Sequence, residues 1–457
     1  MHIHILGICG TFMGGLALIA KAAGHKVTGF DTGVYPPMST QLQEQGIELI
    51  EGYDPKQLTL QPDLFVVGNV VSRGNPLMEA ILDHDLPYIS GPQWLGEHIL
   101  PGQHVFAIAG THGKTTTSFM LAWILEHQGL KPNFLIGGVA PDLEVSARFS
   151  PDSALFVIEA DEYDTAFFDK RSKFLHYRPR TLLINNLEFD HADIFKDLNA
   201  IQTQFHHVIR TVPANGLIIR PQQSEALDEC MARGCWTPVQ TIDNPTGWHS
   251  QTLAAGQVAI YEQQQLHGVL EWTLSGAHNR ANALAAIVAA QQAGISPQKS
   301  IAALSQFQGI KRRMERRAHI NHITVYDDFA HHPTAIELTL GGLAEQLQPN
   351  ERIIAVLEPR SNTMKMGAMA SRLAPALAKA DHSFCYIEQQ GKHALQWDAT
   401  AVFAPLGSAV DLHTDIASLA QAVVAYAQPH DHIVIMSNGS FEGIHQQIIH
   451  GLQQRYS

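Results

Sequence analysis

Apolar residues in this chain fall into short runs that alternate with helix-patterned stretches, with turn residues between them. Residues 2–6 read as a buried strand. A glycine-rich turn over Gly7–Gly15 comes next, then a helix over 16–23 stopped by Gly24, then a strand over 26–30 that closes at Asp31. That is a βαβ start. Residues 64–68 and 87–89 read as further strands around a helix over 76–84, and Pro101-Gly102 reads as a linker. The alternation restarts with a strand over 104–109, a loop over 110–113 and a helix over 114–128. Buried strands lie beyond it at 154–159 and 181–185. Residues 221–272 are strand-rich. An alanine-rich helix over 279–293 precedes a basic segment, Lys311–Arg317. A third run has strands at 323–326, 352–357, 382–386 and 432–436, with no short repeat and no low-complexity tract.

Length agrees with this reading, because 457 residues exceed what one ordinary core holds. The expected architecture is α/β with three domains, over residues 1–102, 103–315 and 316–457. Hydrophobic residues at 45% and charged residues at 16% describe an ordinary globular chain. A net charge of −13 argues against general binding of nucleic acid or an anionic membrane. It leaves room for phosphate held by local backbone amides and a few cations. Cys9, Cys230, Cys235 and Cys385 form no CxxC pair and read as reduced, mostly structural thiols. The chain opens straight into a strand without a signal-peptide pattern, and no apolar run approaches the ~18 residues of a membrane helix. The expected location is cytoplasmic.

Three motifs carry chemistry. Gly110-Thr111-His112-Gly113-Lys114-Thr115-Thr116 lies between an apolar strand and a helix. Glycines let the backbone turn its amides toward a phosphate, and the helix N-terminus adds partial positive charge. In such a loop Lys114 reaches the β- and γ-phosphates of a nucleotide and the Thr115 hydroxyl binds Mg²⁺. The strict GxxxxGK[ST] pattern would need glycine where Ile108 stands, so the loop is a shorter variant. The second motif, Glu159-Ala160-Asp161-Glu162, ends a strand. Alone it is an ordinary solvated acidic loop; beside a phosphate loop it is a Mg²⁺ candidate. The third, Asn185-Asn186-Leu187-Glu188-Phe189-Asp190-His191, offers a histidine that is either a ligand to a second cation or a structural loop residue.

In this order the motifs resemble the Mur ligase family, whose ATP site uses GT[HN]GK[TS], a strand-end glutamate and an NxxxDH histidine. Two later stretches extend the resemblance. Gly276-Ala277-His278-Asn279-Arg280-Ala281-Asn282 is similar to the family's GxHNxxN. The pair formed by Arg313 and Asp327-Asp328-Phe329-Ala330-His331-His332-Pro333 is similar to its linker arginine and DDYAHHP element. The resemblance implies a Rossmann-like UDP-binding domain, a P-loop ATPase-type central domain and a Rossmann-like carboxy-terminal domain. It places Gly110, Thr111, His112, Gly113, Lys114, Thr115, Thr116, His278, Asn279, Asn282, Arg313 and Asp328 at ATP, with Thr115, Glu159 and His191 on Mg²⁺. Catalysis falls to Lys114, Glu159 and His191. The spacing of Gly7, Gly10 and Gly14, with Asp31, fits the family's UDP-sugar domain better than a dinucleotide GxGxxG, and Ser72, Arg73 and Asn75 join it. Stretches 34–40, 72–76, 90–95, 358–365 and 437–445 look like the members that attach a ready-made tripeptide to UDP-N-acetylmuramate. Arg360, Asn362 and Lys365 are then candidates for reading the peptide. Residues 202–209, where some members carry a carbamylated lysine, hold His206 and His207 instead, so no carbamate is expected.

The implied reaction is ATP-dependent. The muramic acid carboxylate attacks the γ-phosphorus, and the amine of L-alanyl-γ-D-glutamyl-meso-diaminopimelate then displaces phosphate from the acyl phosphate. Three rivals stay open: the L-alanine-adding ligase, a folate or amino-acid polymer ligase, and a nucleotide hydrolase or regulator that joins nothing.

Overall fold

Five parallel strands open the fold, in the spatial order Glu48–Glu51, Lys26–Asp31, His2–Leu6, Leu64–Val67, Tyr88–Ser90. The computed structural model describes residues 1–34, 38–254, 256–391 and 394–457; of the stretch 34–40, residues 35–37 lie outside it. Right-handed helical crossovers are the only short way to join parallel neighbours, which accounts for the strict alternation in the sequence. One expectation changes. The first helix is Thr11–Ala22, so Gly14 and Gly15 are helical rather than part of the turn. Glycine is a poor helix former, but packing decides here. A Cβ on Gly14 would strike Met38, and one on Gly15 would come within 2.5 Å of Leu135.

A chain of buried polar groups threads this sheet. His4 is fully buried. Its Nδ1 lies 2.8 Å from Thr28 Oγ1 and its Nε2 lies 3.0 Å from Gln57 Oε1. Burial lowers His4 to about 4, against the weaker upward pull of Gln57. The unfolded chain therefore takes up a proton near pH 6.5 that the folded chain refuses. Stability present above pH 6.5 is lost as pH falls toward about 4, by ~3 kcal/mol for a shift of this size. Hydrogen exchange of peptides from the first sheet should show this loss between pH 7 and 5 in the native chain. A His4→Phe variant should have a flatter pH profile.

Ten strands make the second sheet. Its centre is His104–Ala109, flanked in parallel by Leu155–Glu159 and Thr181–Ile184. The segment 221–272 supplies strands Val239–Ile242, Trp248–Ala254, Gln257–Glu262 and Gln265–Glu271 at one side, the last three antiparallel. It also contains a helix, Glu225–Ala232, started by Ser224, whose side chain accepts from Leu227 N. The first two sheets belong to one compact unit, Met1–Phe189 with Asp197–Trp272 and Ala281–Gln308.

A second unit comprises Gly309–Ser457 together with Asp190–Lys196 and Thr273–Arg280. Its six strands run Glu315–Ile320, Ile323–Asp328, Asp431–Met436, Arg352–Leu357, His382–Tyr386, Val410–His413, antiparallel only at the first pair. Apolar clusters cover both faces, as a buried parallel sheet requires. Among the described residues no helix is long and apolar enough to cross a membrane.

Candidate active site

Three parallel strands end side by side, and each runs directly into a loop that carries reactive groups. Ala109 leads into the phosphate loop, Ile158 into Glu159, and Ile184 into Asn185. The register pairs Ile108 with Glu159 and Ile184 with Ala109, so the three loops meet at the carboxyl edge of the sheet. That edge is where open parallel sheets bind ligands.

The loop is shaped by glycines that no other residue could replace cheaply. Gly110 has φ +126°, and a Cβ there would lie 2.9 Å from Asn186 O; Gly113 has φ +78°, and its Cβ would lie 2.6 Å from Asn282 Oδ1. The Asn186 amide brackets the His112 peptide: Oδ1 accepts from His112 N at 2.8 Å, and Nδ2 donates to His112 O at 3.2 Å. Asn185 Nδ2 donates to Thr117 Oγ1 at 3.0 Å and to Asn282 Oδ1 at 3.5 Å. Thr111 Oγ1 accepts from Glu188 N at 2.9 Å. Helix Lys114–His127 then starts with Thr115 and Thr116 buried behind the loop.

Charge concentrates at the helix start. Lys114 Nζ donates to Gly110 O at 2.6 Å and to Glu162 Oε2 at 3.0 Å, and Glu162 is 1% exposed. Burial alone would lower the Lys114 pKa, but the carboxylates of Glu162, Asp161 and Glu159 outweigh it and raise it, so the ammonium stays charged. Thr115 Oγ1 donates to Glu159 Oε1 at 2.8 Å, and Gly137 N donates to Glu159 Oε2 at 2.7 Å. Burial raises Glu159, opposed by Lys114, Gly137 N–H and the Thr115 hydroxyl. Hard oxygen donors gathered beside a phosphate-type loop suit Mg²⁺. Lys173 extends the cluster. Its Nζ lies 3.0 Å from Asp161 Oδ2, 5.8 Å from the Phe12 ring centroid and 5.6 Å from that of Tyr163.

Asn185, Gly137, Glu162 and Lys173 were not among the expected site residues. Glu162 sits in a motif already singled out, and Asn185 opens another. Gly137 and Lys173 carry no sequence signal, because only the tertiary fold brings them in.

In the amino-terminal sheet, Asp31 accepts from Cys9 N at 2.9 Å and from Gly33 N at 3.1 Å, which ties the Gly7–Gly10 turn to the second strand. Gly7 has φ +79°, and Gly10 precedes the first helix as its cap. Asn75 caps helix Pro76–Asp83, accepting from Leu77 N and Met78 N at 3.1 Å each. Exposed Arg73 makes a two-pronged pair with Glu79, both arms 2.9 Å. Ser72 is exposed.

The remaining candidates lie in the second unit. His191 adopts φ +54°, and its N–H donates to Asp190 Oδ1 at 2.7 Å. Burial works against ionised Asp190, yet His191, the Thr363 hydroxyl and His332 hold it down at about 2. Burial, with help from Arg280 and Arg313, lowers His278 to about 4, so this ring is neutral. Asn279 Nδ2 donates to Ser275 O at 2.7 Å. The GxHNxxN motif divides between the units: Gly276–Arg280 fall in the second, and Ala281 and Asn282 in the first with the phosphate loop. Arg313 lies over the Phe329 ring at 5.1 Å, and Asp328 accepts from Met314 N and Ala330 N at 2.8 Å each, locking the linker. Arg360 Nη1 lies 3.4 Å from Glu358 Oε1. Asn362 Nδ2 donates to Asp193 Oδ2 at 2.8 Å, and Gln396 N donates to Lys365 O at 2.9 Å.

A lysine-bearing loop beside a strand-end glutamate is the geometry of a nucleotide site; the family matches that follow make the class an ATP-dependent ligase that forms amide bonds. The chain belongs to the Mur ligase family: residues 2–101 match the model for the Mur ligase family catalytic domain, 108–290 the Mur ligase middle domain, and 312–439 the Mur ligase glutamate ligase domain. It is similar to particular members. It is 52% identical to the Escherichia coli K12 UDP-N-acetylmuramate–L-alanyl-γ-D-glutamyl-meso-2,6-diaminoheptandioate ligase, over 100% of this chain and 99% of that one. It is 46% identical to a murein peptide ligase from Psychrobacter arcticus 273-4, with a TM-score of 0.74 over 99% of this chain and 98% of that one. The UDP-N-acetylmuramate-alanine ligase of Thermotoga maritima shares the fold, with a TM-score of 0.80 at 21% identity over both full chains.

Proposed function

We propose that this protein joins UDP-N-acetylmuramate to L-alanyl-γ-D-glutamyl-meso-diaminopimelate with cleavage of ATP, returning a recovered cell-wall peptide to synthesis in the cytoplasm. The observation that carries the reading is the pairing of Lys114 with Glu162 and of Thr115 with Glu159 at converging strand ends. The full-length similarity to two ligases named for that substrate pair supports it.

Amide formation from a free carboxylate is uphill in water and needs a better leaving group than hydroxide. A muramic acid carboxylate oxygen bonds to the γ-phosphorus, and the bond to the bridging oxygen of ADP breaks. The peptide nitrogen then bonds to the carbonyl carbon, inorganic phosphate leaves, and the amine proton passes to solvent. Lys114 stabilises the charge that gathers on the phosphoryl oxygens. Gly110, Thr111, His112, Gly113 and Thr116 form the phosphate cradle, with Asn282 beside it in the same unit; His278, Asn279, Arg313 and Asp328 are the nucleotide candidates of the second unit. Thr115 and Glu159 would hold one Mg²⁺ and His191 a second, and Mg²⁺ there would supply charge to neutralise the phosphate oxygens. Gly7, Gly10, Gly14, Asp31, Ser72, Arg73 and Asn75 serve the UDP-sugar in a domain over 1–102. The ATP domain spans 103–315. Arg360 and Lys365 offer cations to peptide carboxylates in the domain over 316–457.

The test is ADP release with ATP, Mg²⁺ and UDP-N-acetylmuramate, with either the tripeptide or L-alanine as amine, and mass measurement of the product. Tripeptide should be preferred by at least about a hundredfold in kcat/KM, a conservative floor beside the ~10⁴-fold by which a site built to hydrogen-bond its substrate rejects an analogue lacking those groups. Preference for L-alanine would make this the alanine-adding ligase, and ATP turnover without either amine would make it a hydrolase.

A further inference from the structure

The loop that carries His191 is held in place by a single helical turn far along the chain. Asn362–Lys365 is that turn, capped by Ser361, whose Oγ accepts from Met364 N at 3.3 Å and donates to His331 O at 3.3 Å. From it, Thr363 Oγ1 donates to Asp190 Oδ1 at 2.7 Å and accepts from Ala192 N at 3.3 Å. Asn362 Nδ2 donates to Asp193 Oδ2 at 2.8 Å. These bonds straddle His191 on both sides. Thr363 is 3% exposed and Asp190 6%, so water cannot substitute for either partner.

The histidine needs this hold. At φ +54° it occupies the left-handed region, which a non-glycine residue keeps only where its surroundings over-determine it. Asp190 Oδ1 accepts both the His191 N–H and the Thr363 hydroxyl, so the same oxygen links the threonine to the histidine backbone. Ile194 N and Phe195 N both donate to His191 O at 2.9 Å, which closes the loop behind it.

We propose that Thr363 and Asn362 are positioning residues for His191, and that this half of the 358–365 stretch serves the metal histidine rather than the peptide. The inference rests on the reading of His191 as a cation ligand. Arg360 and Lys365 remain on the peptide side, so one short stretch divides into a positioning half and a recognition half. A ligand held through a second layer of hydrogen bonds depends on that layer for its aim.

Thr363→Val keeps the shape and removes the hydroxyl. In the full-length enzyme it should lower kcat for ADP release about 10- to 100-fold and raise the Mg²⁺ concentration for half-maximal rate, the usual scale for loss of such a partner. KM for UDP-N-acetylmuramate and for tripeptide should stay within about twofold, since a uniform binding contact is not lost. Thr363→Ser should restore kcat, and Asn362→Ala should reproduce the defect in weaker form. A rise in tripeptide KM with kcat intact would overturn the proposal in favour of peptide reading. A lowered melting temperature with normal kcat and Mg²⁺ response would overturn it in favour of a purely structural role. His191→Ala, assayed alongside, separates the two layers. If it turns over and titrates Mg²⁺ like the native chain, the cation role of His191 itself fails. If it is inactive while Thr363→Val is normal, only the positioning proposal fails.

Discussion

Lys114→Ala is expected to lower tripeptide-dependent ADP release about a thousandfold, the scale for removing a charged donor from a developing phosphoryl transition state. Lys114 is the charged donor bound to the loop itself, through Gly110 O at 2.6 Å and Thr111 O at 3.4 Å. Its ammonium also faces Glu162, Asp161 and Glu159, and substitution leaves those carboxylates crowded at one strand end. Glu162, 1% exposed, loses its cationic partner, so the variant should also melt lower. Lys114→Arg separates these effects. It keeps a charge near Glu162, but its planar fork does not fit a cradle built for a point charge, so stability should return and turnover should not. Near-native turnover by Lys114→Ala, measured by coupled ADP assay with binding of UDP-N-acetylmuramate verified by calorimetry, would remove the assigned role.

Glu159→Gln should have the next largest effect. Gly137 N and the Thr115 hydroxyl bond different carboxylate oxygens now, at 2.7 and 2.8 Å; the glutamine carbonyl can still accept from Gly137 N while its NH2 donates to the rotatable Thr115 hydroxyl, so the strand end should keep its shape. What disappears is a negative charge in a buried position beside the Thr115 hydroxyl. The Mg²⁺ concentration for half-maximal ADP release should rise at least about tenfold, and excess Mg²⁺ should recover part of the rate. An unchanged Mg²⁺ titration would show that another carboxylate holds the ion, Asp161 and Glu162 being next in line on the same strand end.

The phosphate loop was legible because everything that defines it is local. A strand, two glycines at positive φ and a helix start all fall within residues 104–127. The same locality misled at Gly14 and Gly15, where poor helix propensity suggested a turn. Close packing on Met38 and Leu135 makes the helix depend on the missing side chains instead. Asn362 shows a different limit. Its place in a distinctive loop makes it a candidate peptide reader, and nothing local announces that its amide also bonds Asp193, 169 residues earlier.

By itself, the order of motifs determined the family, the α/β class and the three-part plan, because each motif is a short stretch whose backbone needs fix its own residues. Tertiary structure alone decided which carboxylate meets which hydroxyl, which asparagine braces the phosphate loop, and what anchors the loop of His191. Those pairings join residues 44, 97 and 173 positions apart, as in Thr115 with Glu159, Asn185 with Asn282, and Asp190 with Thr363. Such contacts carry no periodic signature along the chain; they exist only after each unit folds and brings segments distant in sequence together.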